Sequence, residues 1–179
     1  ASPGLLCSIK LNLFLIKKYE QRREFMNIAL VPARGGSKSV PKKNIKLLDG
    51  FPFIAYSIVA AILCNRIDRV IVSTESSEIA EIAKFYGAEV PFLRPVELAS
   101  DTSTALDYMK HAVDWFYDNN YKVELVVQLL PTTPLRDPDI LSEAIRIFQS
   151  YYQASSLRSA HELAEPPQKM MRIEAGYFT

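Results

Sequence analysis

The run Ile28-Ala29-Leu30-Val31-Pro32-Ala33-Arg34-Gly35-Gly36-Ser37-Lys38-Ser39-Val40-Pro41-Lys42-Lys43-Asn44 decides how the chain folds. Its first four residues form an unbroken apolar strand of the kind a parallel sheet buries on both faces. They open into a loop that carries Arg34, Lys38, Lys42 and Lys43 and no acid. Gly35 and Gly36 let the backbone approach a ligand, and four like charges in one loop repel unless an anion lies among them. A strand that opens into a glycine-containing, cation-rich loop is how α/β proteins hold nucleotide phosphates. Pro41 keeps Val40 out of the helical region, so the loop is extended and suits a triphosphate better than a single phosphate. At an effective dielectric near 20, a cation about 4 Å from a phosphate contributes roughly 4 kcal/mol before desolvation. Neither G-x-x-x-x-G-K-[ST] nor G-x-G-x-x-G is present. The alternative, a solvated basic loop or a nucleic-acid contact, is disfavoured by the preceding strand and by the lack of aromatic residues for base stacking.

Outward from this run, apolar strands alternate with helical patterns. Further strands are expected at Val70–Ser73, Leu125–Leu129 and Ala154–Leu157. Pro52–Leu63 is an alanine-rich helix. Ile79, Ile82, Ala83 and Tyr86 mark a second helix, with Gly87 placed to end it. Leu106, Met109, Val113 and Phe116 form the stripe of a third, opened by a Thr104–Asp107 capping pair. A fourth starts at Asp137-Pro138 and buries Ile140, Leu141, Ala144, Ile145 and Phe148. This alternation predicts an α/β fold with a mostly parallel sheet, helices on both faces and ligands at the carboxyl ends of the strands. The loops 32–44 and 130–136 should then face one crevice. His111 falls off its helix's apolar stripe and is expected in solvent, as is His161. Tyr151 and Tyr152 are expected in a core or an interface, and Met170 and Met171 as apolar filling.

The 179 residues are 49% hydrophobic and 23% charged, ordinary for a soluble globular protein, and a net charge of +1 supplies no global field for nucleic acid or membrane. Any basic function is therefore local. Cys7 and Cys64 lack metal-ligand spacing, and a reduced, cytoplasmic compartment is the default. Leu5–Ile16 is apolar but too short for a span of about 20 residues and lacks a preceding basic region. Met26 reads as the natural start. Residues 1–25 are then a non-native or disordered extension, with an amphipathic anchor as the alternative, and residues 26–179 one nucleotide-binding domain.

Residues 26–179 resemble the acylneuraminate cytidylyltransferase (CMP-N-acetylneuraminate synthetase) family. The family signature P-A-R-x-x-S-K-x-x-P-x-K-N matches Pro32, Ala33, Arg34, Ser37, Lys38, Pro41, Lys43 and Asn44. Three more blocks follow in order: Ile71-Val72-Ser73-Thr74, Leu93-Arg94-Pro95-Val96-Glu97-Leu98-Ala99-Ser100-Asp101-Thr102, and Pro131-Thr132-Thr133-Pro134-Leu135-Arg136. The resemblance implies a nucleotide-diphospho-sugar transferase-like (Rossmann-like) fold and an enzyme that couples CTP to a sialic-acid-like nonulosonic acid, giving a CMP-sugar and pyrophosphate. It assigns Arg34, Lys38 and Lys43 to the triphosphate and the charge developing at the α-phosphate. Asn44 and Arg94 fall near the cytosine, with Ser103 there through its backbone; the alternative for Arg94 is a loop ion pair near Glu97. Ala33, Gly35 and Ser37 complete the nucleotide set, and Thr132, Thr133 and Arg136 the substrate set. It further implies Mg²⁺ on the phosphates, a cytoplasmic homodimer, and no nucleic-acid or membrane partner.

The chain departs from the family in four places. Leu130 stands where many members have Gln, Glu75 where S-T-D ends in Asp, and Ala105 where some have Ser. The family also runs roughly 60–80 residues further, a part that supplies an aspartate pair for the metal, arginines for the sugar carboxylate and a dimer arm. No metal ligand is therefore expected here. Transfer to pseudaminic or legionaminic acid, or a truncated remnant that binds nucleotide or a partner chain without turnover, are the competing expectations.

Overall fold

The computed structural model describes residues 25–36, 40–100 and 102–159, and the backbone of 173–174 and 177–178. The chain divides after Ile145 into two compact units.

The first unit is built on β1 (Met26–Pro32), whose residues Asn27 to Val31 are all buried. A strand inaccessible from either side must sit in the middle of a covered sheet, and it does. β4 (Arg69–Ser73) pairs parallel on one side and β5 (Val123–Gln128) parallel on the other, in the order β4-β1-β5. Ala29 lies opposite Val70 and Val127, and Leu30 opposite Ile71 and Gln128. Because successive side chains alternate between faces, β1 feeds two cores. Ala29 and Val31 pack with Ile54, Ile58 and Ala61 of α1 (Phe53–Leu63) and Ile79 and Ala83 of α2 (Ser77–Phe85). Ile28 and Leu30 pack with Ala112 and Phe116 of α3 (Ala105–Asp118). Helices therefore cover both faces, as the alternation of elements predicts.

Local signals explain most boundaries. Ser76 Oγ accepts from the Ile79 amide at the start of α2, and Gly87 follows its end at φ +91°. Thr104 and Asp107 form the expected capping box of α3. α4 (Pro138–Ser150) begins after Asp137, whose carboxylate accepts from the Asp139 amide at 2.8 Å. A small hairpin, β2 (Leu47–Leu48) with β3 (Phe51–Pro52), turns through Asp49 and Gly50 at φ 48° and 84°, the left-handed pair that an Asp-Gly turn supplies. Its strand β3 leads directly into α1.

Several expectations fail on packing. Half of the expected α3 stripe is buried: Met109 and Phe116 pack inward as expected, but Leu106 is 69% exposed and Val113 is also exposed, and Tyr108, Ala112 and Trp115 turn inward in their place. The aromatic cluster of Phe92, Trp115, Phe116 and Tyr121 sets that rotation. His111 is consequently not in solvent. It is half-buried, edge-on to Phe92 at 4.8 Å, with Nδ1 buried and unpartnered. Ile140 of α4 is exposed, while Leu141 packs on the first core and Ile145 is buried.

The second unit holds the end of α4 and a two-stranded antiparallel ladder, β6 (Ile173–Glu174) with β7 (Tyr177–Phe178). The strand expected at 154–157 is absent. Those residues are exposed and take no strand conformation. Tyr151 and Tyr152 are exposed, not in a core. Residues 1–24, with Cys7, and His161, Met170 and Met171 lie outside the described residues.

Candidate active site

At the carboxyl end of β1 the backbone passes Ala33, fully buried, whose amide donates to the Ser73 carbonyl at 3.0 Å. That bond ties the cationic loop to the end of β4. Two residues on, the Gly35 amide donates to Glu75 Oε1 at 2.6 Å. The loop that contains no acid thus receives one from the neighbouring strand end. A Cβ on Gly35 would lie 3.3 Å from Ser76 Cβ, so glycine permits this close approach. Asn44 is buried and donates from Nδ2 to the Arg34 carbonyl at 2.8 Å, closing the loop on itself.

Not all four cations point inward. Lys42 takes a left-handed conformation, φ 52°, ahead of the 3-10 turn Lys43–Ile45, and its ammonium pairs with both oxygens of Glu78 at 2.9 and 2.7 Å. The expectation that Lys42 joins the cradle is corrected by that turn, which directs it to α2. Arg34 and Lys43 line a hollow of about 190 Å³ together with Pro32, Asn44, Arg94, Tyr108, Leu130, Pro131 and Thr132. The loops after β1 and β5 therefore do face one crevice. A second hollow, of about 220 Å³, shares Arg34, Arg94 and Tyr108 and is closed by Leu98, Ala99, Ser100 and Ser103. Each is smaller than the roughly 300 Å³ at the low end of ligand sites. As two adjoining spaces that share three residues, they suit a ligand in two parts.

Arg94, which with Arg34 and Tyr108 lines both hollows, is only 4% exposed. Its Nε donates to Ser73 Oγ at 3.0 Å and a terminal nitrogen donates to the Ser73 carbonyl. Its guanidinium lies over the Tyr108 ring at 4.9 Å. Burial pulls its pKa below the usual arginine value; the Glu75 carboxylate and Tyr108 act the other way, and nearby Arg34 adds to the lowering. The ion pair with Glu97 considered from sequence is not what holds it; Ser73 is. Arg34 donates to the Ser100 carbonyl at 3.4 Å, linking the two hollows.

Of the residues assigned to the sugar substrate, Thr132 lines the first hollow. Thr133 folds its amide onto the Leu130 carbonyl at 3.1 Å. Arg136 donates to Ser57 Oγ at 3.2 Å and to the Leu130 carbonyl at 3.4 Å, and burial lowers its pKa. It braces the loop after β5 and is not among the residues that line either hollow. Ser37 and Lys38 lie outside the described residues. Ser73, Glu75 and Tyr108 were not among the sequence candidates for the site. The first two stand at a strand's carboxyl end, where ligands bind in parallel sheets, and could have been found on that ground. Tyr108 had no such signal. Among the described residues no group of three His, Cys, Asp or Glu side chains is placed to hold a metal ion. None of the helices among them is long and apolar enough to cross a membrane.

A parallel sheet with two strand-end loops converging on arginine and lysine side chains defines an α/β protein with a cationic hollow at its strand ends. The chain belongs to the cytidylyltransferase family, which it matches over residues 28–170. It is 41% identical over 120 residues to CMP-N,N'-diacetyllegionaminic acid synthase of Legionella pneumophila, covering 67% of this chain and 52% of that one. It is 36% identical over 143 residues to a pseudaminic acid cytidylyltransferase of Campylobacter jejuni (80% and 61%) and 36% over 141 residues to the N-acylneuraminate cytidylyltransferase of Escherichia coli (79% and 32%). The chain thus spans between a third and three fifths of these relatives. In fold it is similar to a 4-diphosphocytidyl-2C-methyl-D-erythritol synthase (TM-score 0.63, 14% identity, 87% of this chain and 67% of that one). It is also similar to a CMP:2-keto-3-deoxy-manno-octonic acid synthetase complexed with CTP (TM-score 0.58, 18% identity, 72% and 49%).

Proposed function

We propose that the protein transfers the cytidylyl group of CTP to a nonulosonic acid of the sialic, legionaminic or pseudaminic type. The anomeric hydroxyl of the sugar acid attacks the α-phosphorus, the bond to the bridging oxygen of pyrophosphate breaks, and the hydroxyl proton leaves to solvent. Such a transfer depends on positioning and charge neutralisation more than on covalent chemistry by the protein. Arg34 and Lys43 would neutralise phosphate oxygens from the β1 loop. Arg94, locked by Ser73 and Tyr108, supplies a fixed positive charge that needs no reorganisation during the reaction. The observation that carries this proposal is the convergence of Arg34, Lys43 and buried Arg94 on one hollow at the strand ends. The chain also shares more than a third of its residues with three enzymes of nonulosonic acid activation over the matched region.

Mg²⁺ belongs to the same proposal as a companion of the triphosphate. Among the described residues no group of three His, Cys, Asp or Glu side chains is placed to hold it, and no step above is routed through it. We also propose a cytoplasmic homodimer; sedimentation tests the dimer. Cys64, a free buried thiol, is compatible with a reducing compartment.

The test is pyrophosphate release from CTP with N-acetylneuraminic, N,N'-diacetyllegionaminic and pseudaminic acids, alongside calorimetry with CTP, UTP, ATP and GTP. The expected result is CTP bound at least about tenfold tighter than UTP and release with one of the acids. Release with none of them would overturn the transferase, and CTP binding alone would leave a nucleotide-binding protein.

A further inference from the structure

We propose that Tyr108, oriented by Gln128, is a binding residue for the sugar acid: its hydroxyl donates a hydrogen bond to an oxygen of that substrate in the first hollow. This rests on the transferase proposal and extends it to the acceptor's subsite.

A polar residue stands here beside an apolar layer. Gln128 ends β5 opposite Leu30, and Val126, two residues earlier on the same face, packs in the core under α3 with Ile28, Leu30 and Phe116. An amide at the rim of such a layer is costly unless it is hydrogen-bonded. Its partner is the Tyr108 hydroxyl, to which Gln128 Nε2 donates. The phenol oxygen accepts that bond, so its own proton remains available to donate elsewhere. Burial raises the Tyr108 pKa, against the smaller opposing effects of Gln128 and Arg94, which keeps the phenol protonated.

Position then selects the ligand. Tyr108 lines both hollows, together with Arg34 and Arg94. The hollow closed by Leu98–Ser103 has no contribution from β5 or its loop. The other is lined by Leu130, Pro131 and Thr132, and β5 runs directly from Gln128 into that loop. Phosphate oxygens favour Arg34 and Lys43, for charge. A polyhydroxylated acid seated against Leu130 and Pro131 also needs a neutral donor, and the Tyr108 hydroxyl is held in place there by a strand residue.

Calorimetry with CTP-saturated protein in EDTA, titrated with the three acids named above, tests this with Tyr108→Phe and Gln128→Glu. The phenylalanine variant lacks the donor. The glutamate variant offers Tyr108 only acceptors and draws its proton back toward the strand. Both are expected to weaken binding of the preferred acid by about tenfold, the size of one hydrogen bond, and to weaken CTP by at most about a third of that factor. Unchanged acid affinity in Tyr108→Phe overturns the proposal. So does an equal loss of CTP and acid affinity, the mark of a structural role, or a wild-type protein that binds CTP and none of the acids. Wild-type protein that fails to bind CTP refutes the transferase itself.

Discussion

Replacing Arg94 by lysine keeps the positive charge and removes the fork. In the wild type that fork makes two hydrogen bonds to Ser73, one to Oγ at 3.0 Å and one to the carbonyl, while its flat face rests on Tyr108 at 4.9 Å. An ammonium lacks the planar pair of nitrogens that meets the two Ser73 acceptors together and has no plane to stack. A hydrogen bond to a charged group contributes about 1.5–3 kcal/mol and a partly desolvated cation–π contact about 1 kcal/mol. The more strongly hydrated ammonium also tolerates burial less well than guanidinium, and here the side chain is 4% exposed. Arg94→Lys should therefore destabilise the fold by about 2–4 kcal/mol, a large part of the 5–15 kcal/mol of a typical domain. With a urea dependence of about 2 kcal/mol per molar, the unfolding midpoint falls by about 1–2 M. Ser73→Ala removes only the Oγ partner of the guanidinium and should cost about 1.5–3 kcal/mol. CTP affinity, measured where the variant is still folded, should drop at least tenfold. An Arg94→Lys protein that unfolds within about 0.5 kcal/mol of wild type would show that the Ser73 fork does not hold the site together.

Two further outcomes separate neighbouring residues. Lys43→Ala should weaken CTP binding about tenfold or more, while Lys42→Ala loses only an exposed pair with Glu78, worth under about 1 kcal/mol, and should leave CTP affinity within about threefold; equal losses in calorimetry would put Lys42 back in the cradle. The Asp107 carboxylate is held below the usual range by the Thr104 amide first and the Thr104 hydroxyl second. A depressed folded-state pKa contributes stability that is present above the unfolded value, near 4, and is lost as pH falls through the folded value. Asp107→Asn should therefore flatten the stability–pH curve below about pH 4, measured by urea unfolding at stepped pH. An unchanged acid slope would refute the role of this cap.

Much of this architecture was carried by local sequence pattern. Ile28–Val31 is apolar at every position because β1 is covered on both faces, and an uninterrupted run is the signature of that environment. Thr104 with Asp107, Gly87 and Asp137-Pro138 mark helix ends because capping is decided within a few residues of the chain. The cation-rich loop pointed to phosphate for the same reason: its charges and glycines are neighbours in sequence. The three-dimensional fold decided which of those charges act together. Lys42 and Lys43 are adjacent and indistinguishable in pattern, yet a left-handed backbone turn sends one to Glu78 and leaves the other lining the hollow. Glu75 reaches the Gly35 amide from 40 residues away, and Gln128 meets Tyr108 from 20. Such pairings depend on strand order and on the rotation of α3, which aromatic packing fixes and which a periodic stripe through Leu106 and Val113 misjudged. Sequence pattern records the environment each residue requires, whereas contact between distant residues exists only once the sheet has brought the strand ends together.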